Sequence, residues 1–270
     1  MQCYKNGQLI DSIPLLDRAF HYGDGCFTTA RLVHGGMELK ELHIARLNYA
    51  CKNLSLDADL SFIDQALDQL LQHEKNLNGT LKVVISRGEG DRGYSLPLHP
   101  ADVYVWFYPK QWQHLEPEWI ESGLLNHAVG LHMPHLVGLK TLNRLEQVVL
   151  KQEADQRGWL EALVTDVQGY IVEGVSSNCF IRINDQWITP ELRYNGVHGV
   201  MRAHILSRMQ QNHISCEQRC IEMDQIAHIQ NIFFCNALHP MKAVVRFQAR
   251  TMQQQPYLDL FNSLKLSQID

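Results

Sequence analysis

Lys140 and Glu173, 33 positions apart, are the residues whose type and setting point most directly to chemistry. Lys140 stands in Gly138-Leu139-Lys140-Thr141-Leu142-Asn143-Arg144-Leu145-Glu146, where an apolar approach runs into an amphipathic helix pattern. A lysine whose pKa is lowered by apolar neighbours is a nucleophile for Schiff-base formation. Glu173 interrupts the strand-like stretch Gly169-Tyr170-Ile171-Val172-Glu173-Gly174-Val175, and a lone carboxylate there is costly without a cationic partner. A carboxylate aimed at a protonated ring nitrogen is the usual protein handle on pyridoxal 5'-phosphate, so the pair suggests an enzyme using that cofactor. Taken singly, each has a plainer reading: a solvated surface lysine and a strand-end carboxylate facing water.

The composition sets the outer bounds. The chain has 270 residues, 45% hydrophobic and 20% charged, an ordinary globular mixture long enough for two modest cores. With a formal net charge of −5 and dispersed basic residues, a nucleic-acid-binding stripe is not expected. No apolar run reaches the ~18 residues that a membrane span needs. Met1-Gln2-Cys3-Tyr4-Lys5-Asn6-Gly7 lacks the charged and apolar regions of a signal peptide. Seven scattered cysteines suggest free thiols in a reducing cytoplasm. His132 with His135 and Cys216 with Cys220 have metal-like spacing but no second pair nearby, so no metal site is expected.

Alternating helix and strand patterns must position the candidate residues. Leu42, Ile44, Ala45, Leu47, Ala50, Cys51 and Leu54 give a helical period over 39–56. Residues 61–71 repeat it, with Ser61 and Asp64 as the expected helix start. Residues 81–86 and 102–108 read as two strands joined by a Gly- and Pro-containing loop. Further on, the pattern predicts a helix over about 141–157, strands near 160–165, 170–173 and 178–183, a helix over about 199–212, a strand at 232–235 and a final helix from about Tyr257. The expected architecture is α/β (α+β) in two domains: a small N-terminal domain over 1–110, a linker over 111–122 and a larger domain over 123–270 that binds the cofactor.

Gly88-Glu89-Gly90-Asp91-Arg92-Gly93 matches G-x-G-x-x-G after a strand. A dinucleotide site also needs a helix to open there. Pro97 and Pro100 forbid a regular one. The segment therefore reads as a loop between paired strands, from which Arg92 and Tyr94 could reach a neighbouring site.

Several segments, in order along nearly the whole chain, resemble the fold-type IV pyridoxal-phosphate family, the class IV aminotransferases that include the D-amino-acid and branched-chain enzymes. They are Asp17 to Arg31, Leu42 to Leu47, the Lys140 segment, Glu173 with Ser176 to Phe180, Gly196 to Arg202 and Phe234 to Leu238. The resemblance implies a D-amino-acid aminotransferase-like fold and a homodimer. It makes Lys140 the cofactor-bearing lysine, Glu173 the partner of the ring nitrogen and Arg46 the phosphate-binding arginine. Val200, Met201 and Asn236 lie in the two turns matching those that touch phosphate. Within the family, Gly23 to Arg31, Lys82 to Gly88, Arg92 to Ser95 and Cys235 to Leu238 resemble the aminodeoxychorismate lyase branch. Aminotransferases tend to carry a hydroxyl-rich turn where this chain has Cys235-Asn236-Ala237.

That resemblance implies a folate-pathway lyase that converts 4-amino-4-deoxychorismate to 4-aminobenzoate and pyruvate. Such a dicarboxylate substrate must meet cations or hydrogen-bond donors. Thr29, Arg31, Arg92 and Tyr94 are the candidates, each equally readable as a structural or surface group. Two alternatives stay open: an aminotransferase using the same residues, and a non-catalytic ligand-binding α/β protein.

Overall fold

The computed structural model describes residues 1–74 and 76–269. These form two compact units that differ from the expected domain bounds. The first comprises Met1–Gln113 and Leu139–Asn143; the second comprises His114–Gly138 and Arg144–Ile269. Lys140, expected in the larger domain, therefore packs with the first unit.

The first unit is built on β1 (Gln2–Lys5), β2 (Gln8–Ile10), α1 (Arg18–Tyr22), β3 (Gly25–Val33), β4 (Gly36–Met37), α2 (Lys40–Leu54), α3 (Ser61–His73), β5 (Gly79–Ser86) and β6 (Asp102–Pro109). Its antiparallel sheet runs β2-β1-β6-β5-β3-β4. The β-branched and aromatic residues of β5 and β6 suit its centre, in a register that puts Lys82 opposite Trp106 and Val84 opposite Tyr104. In α2 the buried positions are His43, Leu47, Ala50 and Cys51, whereas Leu42, assigned to the apolar face by its type, is exposed. The amide of Ser61 is capped by Asp59 Oδ1 at 2.9 Å, so Asp59 rather than Asp64 supplies the start signal of α3. Residues 87–101 are irregular; Arg87 anchors their start through Asp24 Oδ2 (2.9 Å) and the carbonyls of Leu54 and Ser55.

The second unit contains β7 (Glu118–Ser122), α4 (Leu145–Gln156), β8 (Leu163–Thr165), β9 (Ile171–Gly174), β10 (Asn178–Ile183), β11 (Gln186–Pro190), α5 (Val200–Gln211), β12 (Cys216–Arg219), β13 (Ile229–Asn236), β14 (His239–Phe247), β15 (Arg250–Thr251) and α6 (Gln255–Ser263). The main sheet runs β12-β11-β10-β13-β14-β15, with β7 parallel to β14. Thus 118–122, placed in the linker by their polar composition, form a strand: Ile120 and Ser122 are buried while Glu118, Trp119 and Glu121 are not. Phe180 and Phe233 stack at 4.8 Å across β10 and β13, and Trp187 meets Phe233 edge-on. The short β8-β9 pair carries Glu173, opposite Val164. No helix among the described residues is long and apolar enough to cross a membrane.

Candidate active site

On the first unit, Leu139–Asn143 is an extended strap, not the start of the helix expected from 141, which begins at Leu145. The start of β3 claims its backbone: Phe27 N–H donates to the Lys140 carbonyl at 2.9 Å, and Leu142 N–H to the Gly25 carbonyl at 3.1 Å. A Cβ at Gly25 would lie 2.1 Å from the Ile85 carbonyl and 2.9 Å from Leu142 Cδ1, so only glycine admits this approach. Leu139 is buried and anchors the strap.

The Lys140 amine lies 4.6 Å from the centroid of the Phe27 ring, and the Lys82 amine lies 5.3 Å from the same ring. Lys82 was missed from sequence, although a lone cation in the apolar run Leu81 to Ile85 is a usable signal. Thr29 pairs with Lys82 in the sheet. Arg46, on α2, donates through Nη2 to the Thr28 hydroxyl, which also meets His43 Nδ1 at 2.5 Å. Burial, and then the Arg46 charge, push His43 down to about 3, so it is neutral.

The other expected substrate contacts are placed differently. Arg31 is buried, 3.3 Å from Glu38 Oε2 and stacked over Trp112 at 4.5 Å. Its charge is compensated inside the unit, which argues for a structural role. Arg92 and Tyr94 are exposed on the irregular loop, Tyr94 beside Tyr22.

On the second unit, Glu173 Oε2 accepts hydrogen bonds from Val197 N–H at 3.0 Å and Asn178 Nδ2 at 3.2 Å. On the same unit, burial lowers the Arg144 pKa, and the charges of Glu173 and Glu146 oppose that lowering. Glu161, fully buried, receives both the Ser176 amide N–H and the Ser177 hydroxyl and lies 3.6 Å from Lys242, fixing the turn before Asn178. Asn236 donates to Ser177 Oγ at 3.0 Å and accepts from the Leu238 and His239 amides, so its side chain is occupied in closing the β13-β14 turn.

Helix α5 opens at Gly199 with no side-chain cap, leaving the first-turn amides of Val200 and Met201 uncapped. A Cβ at Gly199 would lie 1.9 Å from Asn178 Oδ1, so the helix start needs a glycine there.

These features fit pyridoxal phosphate. On the second unit the uncapped helix start suits a phosphate group and the held Glu173 carboxylate suits a protonated ring nitrogen; on the first unit, Lys140 is an amine of the type that forms a Schiff base. Among the described residues no group of three His, Cys, Asp or Glu is gathered as a metal site would require, and all seven thiols are free.

Residues 25–247 match the family described as Amino-transferase class IV. The chain is 29% identical over 238 residues to an aminodeoxychorismate lyase of Vibrio harveyi, with 86% of each chain covered. It is 24% identical over 263 residues to a D-alanine aminotransferase of Bacillus licheniformis, covering 93% of this chain and 90% of the other. The crystal structure of 4-amino-4-deoxychorismate lyase from Pseudomonas aeruginosa matches with a TM-score of 0.86 at 29% identity, covering 97% of this chain and 98% of that one. The α/β architecture expected from the sequence is thus the one found, and the chain belongs to the class IV aminotransferase family, whose cofactor is pyridoxal 5'-phosphate.

Proposed function

We propose that this protein is an aminodeoxychorismate lyase, cleaving 4-amino-4-deoxychorismate to 4-aminobenzoate and pyruvate. The observation that carries this is that two amines, Lys140 and Lys82, both lie close to the ring of Phe27, at 4.6 and 5.3 Å from its centroid. One amine can do the chemistry while the other meets a carboxylate of a doubly anionic substrate. Similarity to lyases over most of the chain supports the same reading. So does the turn at Asn236, which is closed by a side-chain amide where aminotransferases tend to use hydroxyls.

In this proposal Lys140 is the covalent anchor of the cofactor, Arg46 and the Val200 and Met201 amides hold its phosphate, and Glu173 keeps its ring nitrogen protonated. Asn236 contributes through the turn it closes. Bound pyridoxal phosphate supplies the electron sink for the carbon bearing the substrate amine. Lys140 would then remove the proton from that carbon. The enolpyruvyl oxygen then leaves the adjacent carbon and the ring becomes aromatic. Lys140 returns the proton to the methylene carbon of the leaving group, giving pyruvate. Positioned proton transfer of this kind is worth typically ~10²–10⁴-fold. Thr29, Arg92 and Tyr94 remain proposed substrate contacts beside Lys82, and a cytoplasmic homodimer belongs to the same reading.

The test is to supply 4-amino-4-deoxychorismate to holoenzyme and measure both products. Equal amounts of 4-aminobenzoate and pyruvate are expected. The second reading, favoured by the similarity to D-alanine aminotransferase, predicts instead that D-alanine and a 2-oxo acid exchange their amino group with no 4-aminobenzoate formed. A purified protein with no visible absorption band after loading with the cofactor points to the non-catalytic alternative.

A further inference from the structure

We infer that His43 is a positioning residue for the cofactor phosphate, acting through the Thr28 hydroxyl to hold the Arg46 guanidinium. This rests on Arg46 being the phosphate anchor, as proposed above.

His43 and Arg46 are three residues apart on α2, and so on one face of the helix. Thr28, on β3, stands between them. A guanidinium has only N–H groups to offer, so Thr28 Oγ1 accepts from Arg46 Nη2. The one hydroxyl hydrogen of Thr28 is then available to His43 Nδ1, 2.5 Å away. Both Thr28 and His43 are fully buried, which shuts out water as a competing partner.

This order of donors settles the state of the imidazole. With Nδ1 accepting, the ring is neutral and its proton is on Nε2. His43 Nε2 is buried and has no hydrogen-bond partner among the described residues. An unpaired N–H in a dry core costs free energy, so an apolar side chain of similar shape would serve packing better. A histidine is explained here by what its other nitrogen does. By taking the Thr28 hydrogen it turns the oxygen lone pairs towards Arg46, and an arginine held before the anion arrives loses less conformational freedom on binding. Strong burial and the Arg46 charge keep His43 from protonating, which would reverse the order of donors.

The test uses full-length apo-protein and measures affinity for pyridoxal 5'-phosphate, affinity for unphosphorylated pyridoxal, and thermal stability. His43→Leu and Thr28→Val should each weaken binding of the phosphorylated form about tenfold and leave pyridoxal binding unchanged. His43→Asn keeps an acceptor near the place of Nδ1 and Thr28→Ser keeps the hydroxyl; both should stay within about threefold of the parent. In an Arg46→Ala background, His43→Leu should cost nothing more. If Arg46→Ala itself leaves affinity unchanged, the phosphate-anchor reading fails. If Arg46→Ala weakens binding while His43→Leu and Thr28→Val do not, or do so additively with it, the positioning role alone is overturned. Equal losses for pyridoxal and its phosphate, or a loss in His43→Asn matching that in His43→Leu, also overturn it. Should His43→Leu fail to fold, the Thr28→Val and Thr28→Ser pair decides.

Discussion

Lys140 is tied to Phe27 at both ends: its carbonyl accepts the Phe27 amide hydrogen at 2.9 Å, and its amine lies 4.6 Å from the centroid of the Phe27 ring. A long side chain normally retains considerable rotamer freedom. Here the strap sets the Cα position and the aromatic face limits where the amine can go. A nucleophile held near its working geometry needs less reorganisation at the moment of reaction.

Replacing Lys140 by Ala is expected to abolish turnover while leaving the fold intact, because the strap is held by backbone hydrogen bonds. Borohydride reduction of the loaded protein should label Lys140 in the parent and nothing in the variant. Peptide mapping that places the reduced adduct on another lysine contradicts the assignment.

For Arg46→Ala the expected loss lies in cofactor retention, with activity partly restored at high pyridoxal phosphate. A charge-assisted hydrogen bond is worth ~1.5–3 kcal/mol, on the order of 10- to 100-fold in Kd. Equilibrium dialysis checks this, and an unchanged Kd removes Arg46 from the phosphate site.

Glu173→Gln should load fully and turn over slowly. One oxygen suffices for both Val197 N–H and Asn178 Nδ2, since both donate to Oε2. A glutamine can keep these bonds and lose only the charge. The ring nitrogen then has less reason to stay protonated, so proton removal slows. A larger isotope effect from deuterium on the amine-bearing carbon is the expected signature. Near-normal turnover by fully loaded protein means that Glu173 is structural.

Lys82→Met tests the second amine over Phe27. The methionine keeps the length and apolar stem while the cation is removed, so KM for the dicarboxylate should rise on the order of tenfold, the lower end of a ~1.5–3 kcal/mol charged contact. Steady-state kinetics with saturating cofactor measures it, and an unchanged KM excludes Lys82 from substrate recognition.

Glu153 ties α4 to the 126–127 segment. Burial opposes its ionisation, but the Asn126 and His127 amides, the His127 ring and Arg157 outweigh that and hold it at about 2. Its ordinary value is 4.5. The folded pKa is depressed, so its stabilisation is fully present above about pH 5 and is lost as pH falls towards 2. Glu153→Gln should therefore be less stable than the parent at pH 7, by roughly 1–3 kcal/mol, with the gap narrowing below pH 4. Urea melts across this range test it; a gap that does not change with pH rules out the linkage.

The sequence by itself determined the local elements and the reactive types. The apolar period placed the cores of α2 and α5 within a residue or two of their ends, because a helix buries one stripe whatever it packs against. The isolated carboxylate in an apolar stretch marked Glu173, because burying a charge demands a partner wherever the strand lies. Which groups hold it was decided only in three dimensions, where the Val197 amide and the Asn178 side chain both donate to its Oε2.

Tertiary structure likewise made Leu139–Asn143 a strap instead of the first turn of α4, since the backbone groups of β3 outcompeted a helix that the side-chain pattern alone permitted. It turned 118–122 from expected linker into a strand, because β14 offered it an edge. It also separated two cations that look alike in one dimension: Arg31 is enclosed with Glu38 and Trp112, while Lys82 lies 5.3 Å from the centroid of the Phe27 ring, which the Lys140 amine also approaches. Residue type states what a side chain can do. Register and packing decide what it faces, and both depend on contacts between residues far apart in the chain.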